Sequence, residues 1–172
     1  MKPLPFLLAL LLALPAVADE VRELAWHEMI PPGAPPPAPP VPLHDLSQLG
    51  DTLLAESGPA AAQQQPAAPV VPELDGQTVR LPGYVVPLEQ NDAGRVTEFL
   101  LVPYFGACIH VPPPPSNQIV LVHSELGLIQ ENLFQPYWVE GRLRVAPQSS
   151  ELAETGYAMD ASKIYHYEFE DE

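Results

Sequence analysis

The residues in this chain best placed for chemistry lie in "LVPYFGACIHVPPPPSNQ", positions 101 to 118. Cys108 is the only cysteine of the 172 residues. His110 follows two positions later, and Pro112, Pro113, Pro114 and Pro115 follow that. In an extended chain, residues i and i+2 point to the same side. A thiolate and an imidazole could then reach one ion, and zinc or Cu(I) accepts both donor types. Two donors make a weak site, because stable zinc sites gather about four. His123, on the next expected strand, is the nearest third donor; His166 and Glu89 are more remote.

Two other readings of the same residues stay open. Cys108 could be a packed apolar side chain, with His110 bonded to a loop carbonyl. It could also be a nucleophile, with His110 as base and Asn117 or Glu98 as the orienting third group. The proline run, with Asn117, is a candidate partner-binding element, since aromatic grooves accept extended proline segments. No HExxH, nucleophile elbow or phosphate loop occurs. Zinc is the cofactor these residues could hold.

The elements around the motif come from patterning. "QTVRLPGYVVPLE" (77–89) reads as a long first strand with Gly83 at a bulge or sharp bend. "NDAG" (91–94) is a turn, and "VTEFLLVPYF" (96–105) a second strand, giving an antiparallel hairpin. "NQIVLVHS" (117–124) reads as a third, more deeply buried strand. "YWVEGRLRVAP" (137–147) alternates cleanly. "SSELAETGYAM" (149–159) reads as a short helix ended at Gly156. "KIYHYEFE" (163–170) would be the last strand. The fold expected is all-β with minor α: a small five-stranded OB-like barrel, with a small β-sandwich as the alternative. The motif joins strands 2 and 3, beside the face OB barrels use for ligands.

The N-terminal part differs. "MKPLPFLLALLLALPAVADE" has the basic start, apolar run and Ala-Val-Ala site of a cleaved signal peptide, residues 1–18. Residues 19–72 form a proline- and alanine-rich arm and linker, holding twelve of the 24 prolines. Within it, "HDLSQLGDTLLAES" has the spacing of a short amphipathic helix. "LAWHEMIPP" (24–32) could dock Trp26 and Met29 onto the barrel domain, residues 73–172. These features imply export to a periplasm without a stable membrane anchor. The formal net charge of -15 repels a phosphate backbone, so nucleic acid is excluded as a partner.

"GYVVPLE", "EFLLVPYFGACIHVPPPPSNQIV" and "YWVEGRL" together resemble the DUF 3299 family of exported bacterial proteins. The likeness runs from about Leu74 to Tyr167, and "LAWHEMIPP" resembles the segment before the domain. Members of that family are often encoded beside transporter components of the lipoprotein-release and macrolide-export type, in gene groups linked to zinc limitation. The resemblance thus implies a noncatalytic accessory of a transport or zinc-homeostasis system, with a periplasmic or inner-membrane transporter component as partner. Its Cys-His-polyproline loop would be the acting element. A Cys108-dependent enzyme and a plain interaction module are the alternatives.

Overall fold

The computed structural model describes residues 21–39, 62–108, 111–129 and 134–168. Six strands appear in chain order: β1 (Arg22–Glu23), β2 (Thr78–Gln90), β3 (Val96–Val102), β4 (Val120–Leu128), β5 (Tyr137–Ser149) and β6 (Glu154–His166). The sheet runs β1-β2-β3-β4-β6-β5, and β5 pairs back onto β2. That last pairing closes a five-stranded barrel and leaves no place for a two-sheet sandwich. All barrel pairs are antiparallel except β4 with β6.

Closure depends on the bend in β2. Its first half, to Gly83, pairs with β5, and its second half, from Tyr84, pairs with β3. A β-carbon at Gly83 would sit 2.8 Å from the Val102 carbonyl oxygen and 2.9 Å from Leu101 Cγ. Only glycine lets the two strands approach this closely at the bend. Past the bend, the first half of β2 has an open edge. The short β1 lies parallel along it, Arg22 opposite Val79 and Glu23 opposite Arg80.

Alternation assigns the faces. Val79, Leu81, Val85, Phe99, Leu101, Val120, Val122, Val139, Leu143, Tyr157 and Met159 fill the barrel. Leu24 and Met29 join them, both with no solvent exposure. Trp26 Nε1 donates to the Pro82 carbonyl at 2.7 Å. The docking expected of Trp26 and Met29 is therefore present. Tyr157 ties both N-terminal pieces down. Its hydroxyl accepts from the Val71 N–H at 2.7 Å and donates to the Met29 carbonyl at 3.0 Å.

One element differs from expectation. Residues 154–159 are strand, not helix. Alanine and glutamate favour helix locally, but Tyr157 and Met159 are needed inside the barrel, and tertiary burial overrides the weak propensity. Gly156 ends no helix. It lets β6 pass beneath Val70 and Ser116, where a β-carbon would meet Val70 Cγ1 at 2.8 Å. The helix expected near 44–57 and the signal peptide lie outside the described residues.

Candidate functional site

The 103–118 connection does not stand free. Successive side chains of a strand alternate in direction. On the opposite face from the barrel core, Tyr84, Val86 and Leu88 of β2, Leu100 and Val102 of β3, and Leu121 of β4 form a second apolar cluster with Ile119 and Ala153. Tyr104, Ala107 and Cys108 pack onto it. The loop thus covers the face beside strands β3 and β4 where an OB barrel would hold a ligand. It folds back sharply: Gly106 has φ 82°, Cys108 has φ 67°, and the Val111 N–H donates to the Gly106 carbonyl at 3.2 Å.

Cys108 is half-buried, and burial pushes its thiol pKa up to about 12. At neutral pH it is protonated, which makes it a poor nucleophile and a poor metal ligand. Tyr104 is raised as well, first by burial and then by the neighbouring Cys108. His123 is exposed on β4, opposite Glu98 of β3 and Asp160 of β6. His110 lies outside the described residues. Among the described residues, no group of three or more His, Cys, Asp or Glu side chains could hold a metal ion. Among the described residues, Cys108 and His123 are not joined by a third His, Cys, Asp or Glu donor.

The proline run also sits differently from its expected role. Pro113, Pro114, Pro115 and Asn117 are buried, and Pro112 is half-buried. Residues 63–69 cover them. The Gln64 N–H donates to the Pro113 carbonyl at 3.0 Å, and Gln63 Nε2 to the Pro114 carbonyl at 3.0 Å. The Ser116 N–H donates to the Gln65 carbonyl, and Asn117 Nδ2 to the Pro69 carbonyl at 2.7 Å. Gln118 Nε2 reaches the Trp26 carbonyl at 3.0 Å. The partner that these prolines and Asn117 meet here is the chain's own linker. Asn117 Nδ2 is used in the bond to the Pro69 carbonyl.

The exposed recognition chemistry lies at one end of the barrel. Trp26, Pro82, Gly83, Tyr84, Pro103, Pro136 and Tyr167 line a groove of about 220 Å³. Rings continue from both sides of it. Tyr84 meets Phe105 edge-on at 6.0 Å, and Phe105 lies 4.6 Å from Phe134, which is 68% exposed. Tyr167 stacks on Trp138 at 5.2 Å, and the Arg80 guanidinium sits 5.0 Å over the Trp138 ring. From the sequence, Tyr84, Tyr104 and Phe105 suggest a base-stacking face that the acidic charge disfavours, and Trp138 reads as a packing residue. Their signal is a repeated pairing of proline with aromatics, at the β2 bend in "PGY" (82–84), after β3 in "PYF" (103–105) and at the start of β5 in "PYW" (136–138).

A family model described as "Protein of unknown function (DUF3299)" matches residues 26–166. The chain belongs to the DUF3299 family. A crystal structure of a DUF3299 family protein from Pseudomonas aeruginosa PAO1 is 59% identical, covers 88% of this chain and 99% of its own, and superposes with a TM-score of 0.76. A small single-stranded DNA-binding protein from Streptomyces coelicolor, 18% identical, covers 54% of this chain and 95% of its own, with a TM-score of 0.35. The OBody AM3L09, solved bound to hen egg-white lysozyme, is 17% identical and covers 63% of this chain and 96% of its own, also at 0.35. Those two low scores carry no argument about ligands. No curated protein matches the chain.

Proposed function

We propose that this DUF3299 protein is a noncatalytic, exported accessory module that holds a partner of an envelope transport or metal-homeostasis system at the aromatic end of its barrel. The observation that carries the reading is the groove of Trp26, Tyr84 and Tyr167 with Pro82, Pro103 and Pro136. Rings and prolines of this kind accept extended proline-containing segments, whose stiffness limits the entropy lost on binding. The lining contains no charged residue on a chain of net charge -15. Burial raises the Cys108 thiol pKa, which weighs against the thiol-dependent alternative. Export rests on the N-terminal sequence, and the transport context on the resemblance described above. The reading does not run through zinc at Cys108, His110 and His123.

The test is affinity purification of the tagged full-length protein from the envelope of a bacterial host. Phe134→Ala with Tyr167→Ala is compared with Glu98→Gln on the far face. Loss of a specific transporter component from the aromatic variant alone is the expected result. An identical set of co-purifying proteins in all three samples would overturn the reading.

A further inference from the structure

The groove and the N-terminal arm have matching chemistry. From Pro31 to Leu43 the arm reads "PPGAPPPAPPVPL" and holds no charged residue. It leaves the groove's own rim, through the turn Trp26–Met29. The chain then bends at Pro31–Ala34, where Gly33 has φ 85° and the Ala34 N–H donates to the Pro31 carbonyl at 3.1 Å. Proline before glycine with positive φ is the signature of a type II turn. Beyond it the burial has a period of three. Pro31, Ala34 and Pro37 are half-buried, whereas Pro35, Pro36, Ala38 and Pro39 are exposed. From Ala34 on, this spacing fits the three-residue turn of a polyproline helix with one edge toward the protein. Two edges of proline rings face outward.

None of the residues 31–39 lines the groove. The described part of the arm therefore leaves its own groove open while displaying the kind of segment the groove accepts. Both surfaces are neutral on an otherwise acidic chain. Two copies meeting through them would bring no charged side chains of the groove lining or of the arm's residues 31–39 together.

We infer that the aromatic groove of one copy takes the proline arm of a second copy, so that the protein self-associates by arm-in-groove exchange. The inference rests on the reading of the groove given above. Its test uses the mature full-length chain in three forms: wild type, an arm variant (Pro35→Ser, Pro36→Ser, Pro39→Ser) and a groove variant (Phe134→Ala, Tyr167→Ala). Mass is followed by light scattering and sedimentation over a range of concentrations. Wild type is expected to reach twice the monomer mass, and each variant to remain monomeric. Mixing the two variants should restore association, because one supplies an intact groove and the other an intact arm. A synthetic peptide of residues 30–43, added to the arm variant, should shift the fluorescence of Trp26 and Trp138 and leave the groove variant unchanged. A wild type that stays monomeric across the concentration range, or an arm variant that associates like wild type, would overturn the inference. If the chain is monomeric but the groove variant still loses its envelope partner, self-association falls and the functional reading stands.

Discussion

Tyr157→Phe should loosen both N-terminal segments while leaving the barrel shape intact. The phenol is fully buried, and its hydroxyl serves two backbone groups, the Val71 N–H at 2.7 Å and the Met29 carbonyl at 3.0 Å. Phenylalanine keeps the ring and opens no large cavity. What is lost is one donor and one acceptor, leaving an unpaired N–H and an unpaired C=O. Each buried polar group left unsatisfied costs about 1–3 kcal/mol. Val71 is half-buried and can recruit water, so its share falls at the low end; Met29 has no exposure and falls higher. The sum is about 2–4 kcal/mol, a large part of the roughly 5–15 kcal/mol that holds a typical domain. Urea unfolding measures the loss, and amide exchange at Val71 localises it. A loss below about 0.5 kcal/mol, well under that estimate, together with unchanged protection at Val71, would refute the view that this hydroxyl pins arm and linker to the core.

Gly83→Ala should cost about 1–3 kcal/mol through overpacking against Val102 and Leu101. Gly94→Ala, with nothing within 4 Å of an added β-carbon but φ 72°, should cost about 1–2 kcal/mol from backbone strain alone. Thermal melts of the pair check both, and a larger loss at Gly94 would contradict the role given to Gly83. Alkaline pH should destabilise the fold. The Cys108 thiol, raised from about 9 to about 12, and the Tyr157 phenol, raised chiefly by burial, hold their protons more tightly folded than unfolded. Their contribution is complete below the unfolded values and fades as pH climbs from there through the folded ones. Cys108→Ala should flatten the stability slope above pH 9, read by urea titrations across that range. Zinc calorimetry should show no tight binding that depends on Cys108; tight binding abolished by both Cys108→Ser and His110→Ala would replace the packing account of the loop with a metal site.

The barrel was legible because its strands obey a period of two and its turns carry ordinary turn residues. Gly83 announced the bend, and the Asn91–Gly94 turn announced the hairpin. β6 was misread over 154–159 because "SELAET" is locally helix-favouring, and only the barrel's need for Tyr157 and Met159 decides otherwise. β1 is two residues long and pairs with β2 more than fifty positions away. No local pattern encodes such a contact. The same holds for the proline run. Its composition suggests an exposed ligand, yet residues 63–69 bury it through long-range backbone bonds. Cys108 and His123 were joined by residue type alone. The fold puts the first under apolar packing and the second on an exposed strand face. The aromatic groove was present in the sequence as three proline-aromatic pairings, but nothing local showed that Pro82, Pro103 and Pro136 arrive at one end of the barrel. That convergence is a product of strand connectivity.

The central claim, that the aromatic end is the working surface, is most directly tested by photo-crosslinking in living cells. A photoreactive residue replaces Phe134, beside the groove, and in a separate strain replaces Leu126, an exposed side chain away from the groove lining. The account predicts a discrete adduct from position 134, to a partner or to a second copy, that disappears when Tyr167 is also changed to alanine. Position 126 should give no such adduct. A specific adduct from position 126 with none from position 134, or one from position 134 that is indifferent to Tyr167, would contradict the account.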